Sequence, residues 1–183
     1  MHLTDIPYID AKVADRLFSQ FAIKIKDDAI RLNSTVQILV FGGAAMALKY
    51  DYRSTVDIDA DIRFKGCISE AIKEIALENN ILDDWLNQDV TASMSYNRKL
   101  WEYVIPYKQY EGFMNVFVIN DIAQLAMKLK SNRDKDRLDI QLLTGKCKEN
   151  GIKFEQLSML YTELYNESLK YKRNIRYVRG QLK

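Results

Sequence analysis

Apolar residues recur at spacings of three and four from Asp10 to Asn33, at Val13, Leu17, Phe18, Phe21, Ile25, Ala29 and Leu32. This predicts an amphipathic helix whose apolar face needs a sheet to cover. Val36 to Phe41 is a β-rich apolar run ending at Gly42-Gly43, and Ala44 to Tyr50 is made of strong helix formers; together they read as strand, tight turn and helix. Val56 to Phe64 alternates, with Val56, Ile58, Ala60 and Ile62 on one side and Asp57, Asp59, Asp61 and Arg63 on the other. That is a strand with one buried face, so its three carboxylates share the exposed one.

Ser69 to Asn79 reads as a helix capped by Ser69, with Ile81 to Leu86 extending it after a break. Leu100 to Pro106 and Phe113 to Ile119 are β-rich and joined by Tyr107 to Gly112, a hairpin in which Pro106 marks a strand end. Helices follow: one capped by Asn120 or Asp121 with Ile122, Leu125, Ala126 and Leu129 on one face, then Arg133 to Leu143, Phe154 to Tyr165 and Ser168 to Arg179. The order predicts an α/β (α+β) fold. Residues 1–119 would form a mixed core with its N-terminal helix, and residues 120–183 a helical region packed on it.

Composition narrows the class. The 183 residues are 48% hydrophobic and 28% charged, the balance of a globular domain, either undivided or split into two small units. No run approaches the ~18–20 apolar residues of a membrane span, so no membrane partner is expected. The start, Met1-His2-Leu3-Thr4-Asp5, lacks the basic and apolar pattern of a secretory signal. Cys67 and Cys147 show no metal-ligand spacing, and two free thiols in a cytoplasmic protein is the reading. The only histidine is His2, which excludes catalysis built on a buried imidazole. Chemistry must run on carboxylates, lysines, hydroxyls or bound metal.

Gly42-Gly43 between a strand and a helix carries little by itself, because many such turns use glycine for backbone freedom alone. Fourteen positions after Gly43, however, comes Asp57-Ile58-Asp59, two carboxylates that a strand sets on one side about 7 Å apart. Such oxygens suit Mg²⁺ or Mn²⁺, which keep several waters and are completed by substrate phosphates. The helix after Gly43 points backbone N–H groups toward the turn, a phosphate site beside the metal site. The plainer alternative is the solvated face of an edge strand, although aspartate is disfavoured in strands and three in five positions repel one another.

Phe41-Gly42-Gly43-Ala44-Ala45 followed by Arg53-Ser54-Thr55-Val56-Asp57-Ile58-Asp59 resembles the signature of the polymerase-β-type nucleotidyltransferase superfamily. A second stretch, Met127-Lys128-Leu129, Asn132-Arg133-Asp134-Lys135-Asp136 and Asp139-Ile140, is similar to a run in small bacterial nucleotidyltransferases of the kind that includes type IV toxin-antitoxin toxins. The resemblance covers about Val36 to Leu143. It implies a minimal mixed sheet with flanking helices and metal-dependent transfer of NMP from an NTP to an RNA, protein or small-molecule hydroxyl. It further implies Asp57 and Asp59 as catalytic metal ligands, and Gly42, Gly43, Arg53 and Thr55 as nucleotide and phosphate contacts. Lys128 would act near the triphosphate, Asp136 and Asp139 would be orienting residues, and a cognate antitoxin would be a partner. The logic agrees with the chemistry, since phosphoryl and nucleotidyl transfer ask mainly for charge neutralisation and positioning.

The family places a third acid about where Asn115 stands, and an amide cannot take a proton at neutral pH. Two branches stay open: an enzyme whose third carboxylate is Glu102 or Asp61, and a non-catalytic NTP- or RNA-binding module, belonging to a toxin-antitoxin or regulatory pair. The segment Ser168 to Lys183 holds six of the 27 bases and none of the 25 acids, with Tyr171 and Tyr177 interleaved. It suits RNA or single strands and equally suits a solvated terminal helix; Lys172, Arg176 and Arg179 would share one helical face.

Overall fold

The computed structural model describes residues 7–52, 54–172 and 174–183. Contacts divide the chain into two compact units, residues up to Thr91 with Ile105–Val118, and Ala92–Val104 with Ile119–Lys183.

The first unit is built on a mixed five-stranded sheet in the order β3-β2-β1-β5-β4. Its central strand, β1 (Val36–Val40), is apolar at four of five positions because both of its faces are covered. It pairs antiparallel with β2 (Ile58–Arg63) and parallel with β5 (Met114–Ile119), while β2 pairs parallel with β3 (Leu86–Asn87). The amphipathic helix predicted from Asp10 is α1 (Ala11–Arg31), whose start Asp10 caps by accepting from Val13 N at 2.8 Å. Leu17, Phe18 and Phe21 on its inner face are fully buried. Its outer face is tied to α3 (Ser69–Asn79) by Lys24, which reaches Glu74 and Glu78 at 2.9 and 2.8 Å.

Several local readings are corrected. The pair Gly42-Gly43 is not a separate turn: α2 (Gly42–Tyr50) starts at Gly42 itself, directly after Phe41. The strand expected from Val56 starts at Ile58, and Val56 lies exposed ahead of it. Ser69 is the first helical residue of α3, with Ile68 in the cap position. Ile81 to Leu86 does not extend α3, because Asn80 turns left-handed (φ 53°) and ends it. The chain then drops Trp85 into the core, where its Nε1 donates to Ile72 O at 3.1 Å and its ring meets Phe18 and Phe21. Pro106 does not end a strand: it lies inside β4 (Val104–Tyr110), an edge strand, the place in a sheet where proline is tolerated.

The second unit is helical. Leu100 to Glu102, expected as strand, belongs to a 3₁₀ turn, Arg98–Glu102. Asn120 caps α4 (Asp121–Ser131) by accepting from Ala123 N at 3.0 Å. A 3₁₀ turn at Asp134–Asp136 leads into α5 (Arg137–Glu149), and α4 packs on both α5 and α6 (Phe154–Tyr165). The helix expected over Ser168 to Arg179 is two pieces, a 3₁₀ turn at Leu169–Tyr171 and α7 (Ile175–Gln181), separated by the left-handed Asn174. Lys172 is therefore off the helical face that carries Arg176 and Arg179. It meets Glu167 at 3.3 Å instead. Cys67 and Cys147 are free thiols, the first exposed and the second buried. Among the described residues no helix is long and apolar enough to cross a membrane.

Candidate functional site

The backbone of the β1–α2 junction sets the first cluster. Phe41 N donates to Asp59 O at 2.9 Å, which extends the β1–β2 ladder one step beyond Val40↔Ala60 and locks β2 against the helix start. Gly42 then takes a left-handed conformation, φ +61°, which glycine adopts without the Cβ penalty of other residues. A Cβ built on Gly42 would lie 3.4 Å from Asp59 Oδ2, so the Asp59 carboxylate is held against bare main chain. Phe41, the N-cap residue of α2, makes no side-chain cap.

Asp57 lies in the bend just before β2, two positions ahead of Asp59. Its Oδ1 accepts from Thr55 Oγ1 at 3.2 Å. Thr55 is itself fixed by a two-way bridge to the buried Ile9, Ile9 N to Thr55 O at 2.6 Å and Thr55 N to Ile9 O at 3.0 Å. Asp57, Asp59 and Asp61 are all half-buried. Among the described residues no group of three or more His, Cys, Asp or Glu side chains forms a metal-holding cluster. Two carboxylates are a set that suits a hard divalent ion retaining waters and completed by phosphate oxygens, which is how Mg²⁺ is commonly held. Gly42 and Gly43 open α2, Thr55 and Asp57 lie in the segment leading into β2, and Asp59 and Asp61 lie on β2 itself; Arg53, and in the basic segment Arg173 and the side chain of Tyr171, lie outside the described residues.

The register separates Asn115 from this group. Across the sheet Asp61 stands opposite Leu39, and Leu39 opposite Phe117, whereas Asn115 stands opposite Gln37 in the row of Arg63. Its Oδ1 accepts from Gln109 Nε2 at 3.0 Å. The β5 residue in the row of Asp61 is therefore Phe117, and β5 carries no acid at all. Glu102 is exposed at the end of its 3₁₀ turn, in the helical unit.

Lys128, Asp136 and Asp139 meet in the helical unit. They are 6%, 2% and 0% exposed, and Lys128 Nζ lies 2.6 Å from Asp136 Oδ1 and 2.8 Å from Asp139 Oδ2. Arg133 grips the same Asp136 with two nitrogens, Nε at 2.8 Å from Oδ2 and Nη2 at 3.2 Å from Oδ1, and Ser131 Oγ donates to Oδ2 at 3.1 Å. Burial alone pushes the Asp136 carboxyl up, but hydrogen bonds from Arg133 and Lys128 outweigh it and hold the group below the ordinary aspartate range. The outward-facing member is Arg133, whose side chain is 52% exposed while its plane is set by the buried carboxylate. Its sequence signal was present, since it sits inside the Asn132 to Asp136 run. Ile9 had none, because a one-residue bridge leaves no periodicity.

The model of the family described as nucleotidyltransferase of unknown function (DUF6036) matches residues 19–179, a span that includes both clusters. No curated protein and no solved structure matches the chain. The protein therefore belongs to this nucleotidyltransferase family, whose function is not established.

Proposed function

We propose that the protein is a metal-dependent nucleotidyltransferase that moves a nucleoside monophosphate from an NTP to a hydroxyl of an RNA, a protein or a small molecule. The observation that carries this reading is the Asp57–Asp59 pair beside a left-handed Gly42 at the start of α2. Asp57 and Asp59 would hold Mg²⁺ or Mn²⁺, an ion whose contribution is to neutralise charge on the phosphates during transfer. The remaining work falls to the chain itself. Gly42 and Gly43 let main chain approach a phosphate without side-chain interference, and the start of α2 offers its positive dipole end. Thr55 orients Asp57 through its 3.2 Å hydrogen bond. Asp61, next on the same face of β2, is the carboxylate best disposed to serve the attacking hydroxyl. Lys128, Asp136 and Asp139 act within the helical unit, where they hold the partly exposed Arg133 in place.

A second reading, a non-catalytic NTP- or RNA-binding module within a toxin-antitoxin or regulatory pair, is favoured by one observation, the absence of any acid on β5. One experiment separates them: each α-labelled NTP is incubated with Mg²⁺ or Mn²⁺, total RNA and soluble protein, with Asp57→Asn and Asp59→Asn as controls. Label transferred by the native chain and lost in both variants supports the enzyme and shows its acceptor. Metal-linked NTP binding without transfer supports the module.

A further inference from the structure

The helical unit holds a concavity that neither acidic cluster explains. A cavity of about 220 Å³ opens between the start of α5 and α7, lined by Asp134, Arg137, Ile140, Gln141, Asn174 and Tyr177. We propose that it receives one base of a single-stranded RNA.

Size and chemistry point the same way. The volume is below the ~300–1,000 Å³ of sites that enclose whole drug-sized ligands, and suits one flat group. Ile140, 1% exposed, supplies an apolar floor, and Tyr177, 40% exposed, supplies an aromatic wall. The remaining lining is a set of planar polar groups. Arg137 donates, Asp134 accepts, and the Gln141 and Asn174 amides do both. A stacking ring beside mixed donors and acceptors is the arrangement with which proteins read a splayed-out base, aromatic on its face and polar groups on its edge.

Charge favours a strand over a free base. The stretch from Ser168 holds six bases and no acid, Arg176 is exposed next to Tyr177, and Lys135 is exposed beside Asp134. Bases flanking a base-sized cavity are placed to meet the phosphates on either side of the bound nucleotide, an attraction that weakens as salt rises. Joined to the transfer reading above, this names RNA as the acceptor class, yet its test requires no transfer.

The test is fluorescence anisotropy of the full chain with a labelled, short, mixed-sequence single-stranded RNA. The native chain binds, more weakly as salt is raised. Tyr177→Ala weakens binding at least about fivefold, the loss of one base stack; Arg137→Ala weakens it comparably, and Tyr177→Phe retains it. Asp57→Asn binds like the native chain, so failure of transfer and failure of this site are told apart. Both altered side chains are on the surface, and a thermal melt of each variant checks its fold; should one not fold, the other carries the test. Unchanged affinity in the folded alanine variants, no RNA binding even at low salt, or displacement of the strand by an equal concentration of free nucleoside monophosphate would each overturn the proposal.

Discussion

Two clusters of aspartates, one in each unit, use the same side chain in opposite ways. Asp57 and Asp59 are half-buried, and Asp59 has the bare main chain of Gly42 beside it. Asp136 and Asp139 are almost wholly withdrawn from water and share Lys128. Taking a carboxylate out of water costs several kcal/mol unless a cation and further hydrogen bonds compensate. Lys128, Arg133 and Ser131 supply that compensation for Asp136, which makes the cluster a fastening between α4 and α5. The β2 carboxylates retain access to solvent, the condition for taking a ligand. Burial, rather than residue type, divides the fastening from the proposed binding surface.

The strongest way to break this contrast is to remove the shared cation. Lys128→Ala leaves two acids buried without it, and is expected to lower stability by about 3–5 kcal/mol. Asp57→Asn, at a half-buried position, is expected to stay within about 0.5 kcal/mol of the native chain. Urea unfolding of the two variants checks this. A stable Lys128→Ala protein that had lost NTP binding would reverse the assignment and put Lys128 at the triphosphate.

Acid provides a gentler probe of the same fastening. The folded-state value of Asp136 lies below the ~3.9 of an unfolded aspartate. Its ionised form therefore stabilises the fold fully above about pH 4, and that contribution is lost as pH falls through the lower folded value. Asp136→Asn should have a lower melting temperature near neutrality and a shallower decline below about pH 4 than the native chain. Parallel slopes in the two proteins would mean that the Lys128–Asp136 contact does not drive the acid loss.

Most of the element order was legible because it rests on periodicity and caps. The α1 stripe from Leu17 to Ala29, the Ile58 to Ile62 alternation, the Asn120 cap and α6 from Phe154 to Tyr165 are local patterns. What escaped depends on partners distant in sequence. Pro106 reads as a strand end until β4 is known to be an edge, and Ile81 to Leu86 reads as helix until Trp85 is seen in contact with Phe18 and Phe21. The site divides similarly. The spacing of Gly42, Asp57 and Asp59 was visible, while the row that puts Phe117 rather than Asn115 across from Leu39 and Asp61 exists only once β1 pairs with both neighbours. The double grip on Lys128 also needs the α4–α5 packing before it can be read.

The finest test asks whether Gly42 matters for its backbone or for what lies beside it. Gly112, in the β4–β5 connection, is left-handed too (φ +74°), but a Cβ there meets nothing within 4 Å. Gly112→Ala is thus a pure measure of left-handed strain, expected to cost about 1 kcal/mol and leave nucleotide binding unchanged. Gly42→Ala carries the same strain and also sets a methyl group 3.4 Å from Asp59 Oδ2. Its stability loss should be similar, at about 1–2 kcal/mol, while Mg²⁺-linked NTP binding, read by calorimetry, falls sharply. Equal binding in the two variants would show that Gly42 serves only the turn into α2, and that the approach of main chain to the Asp59 carboxylate is not used.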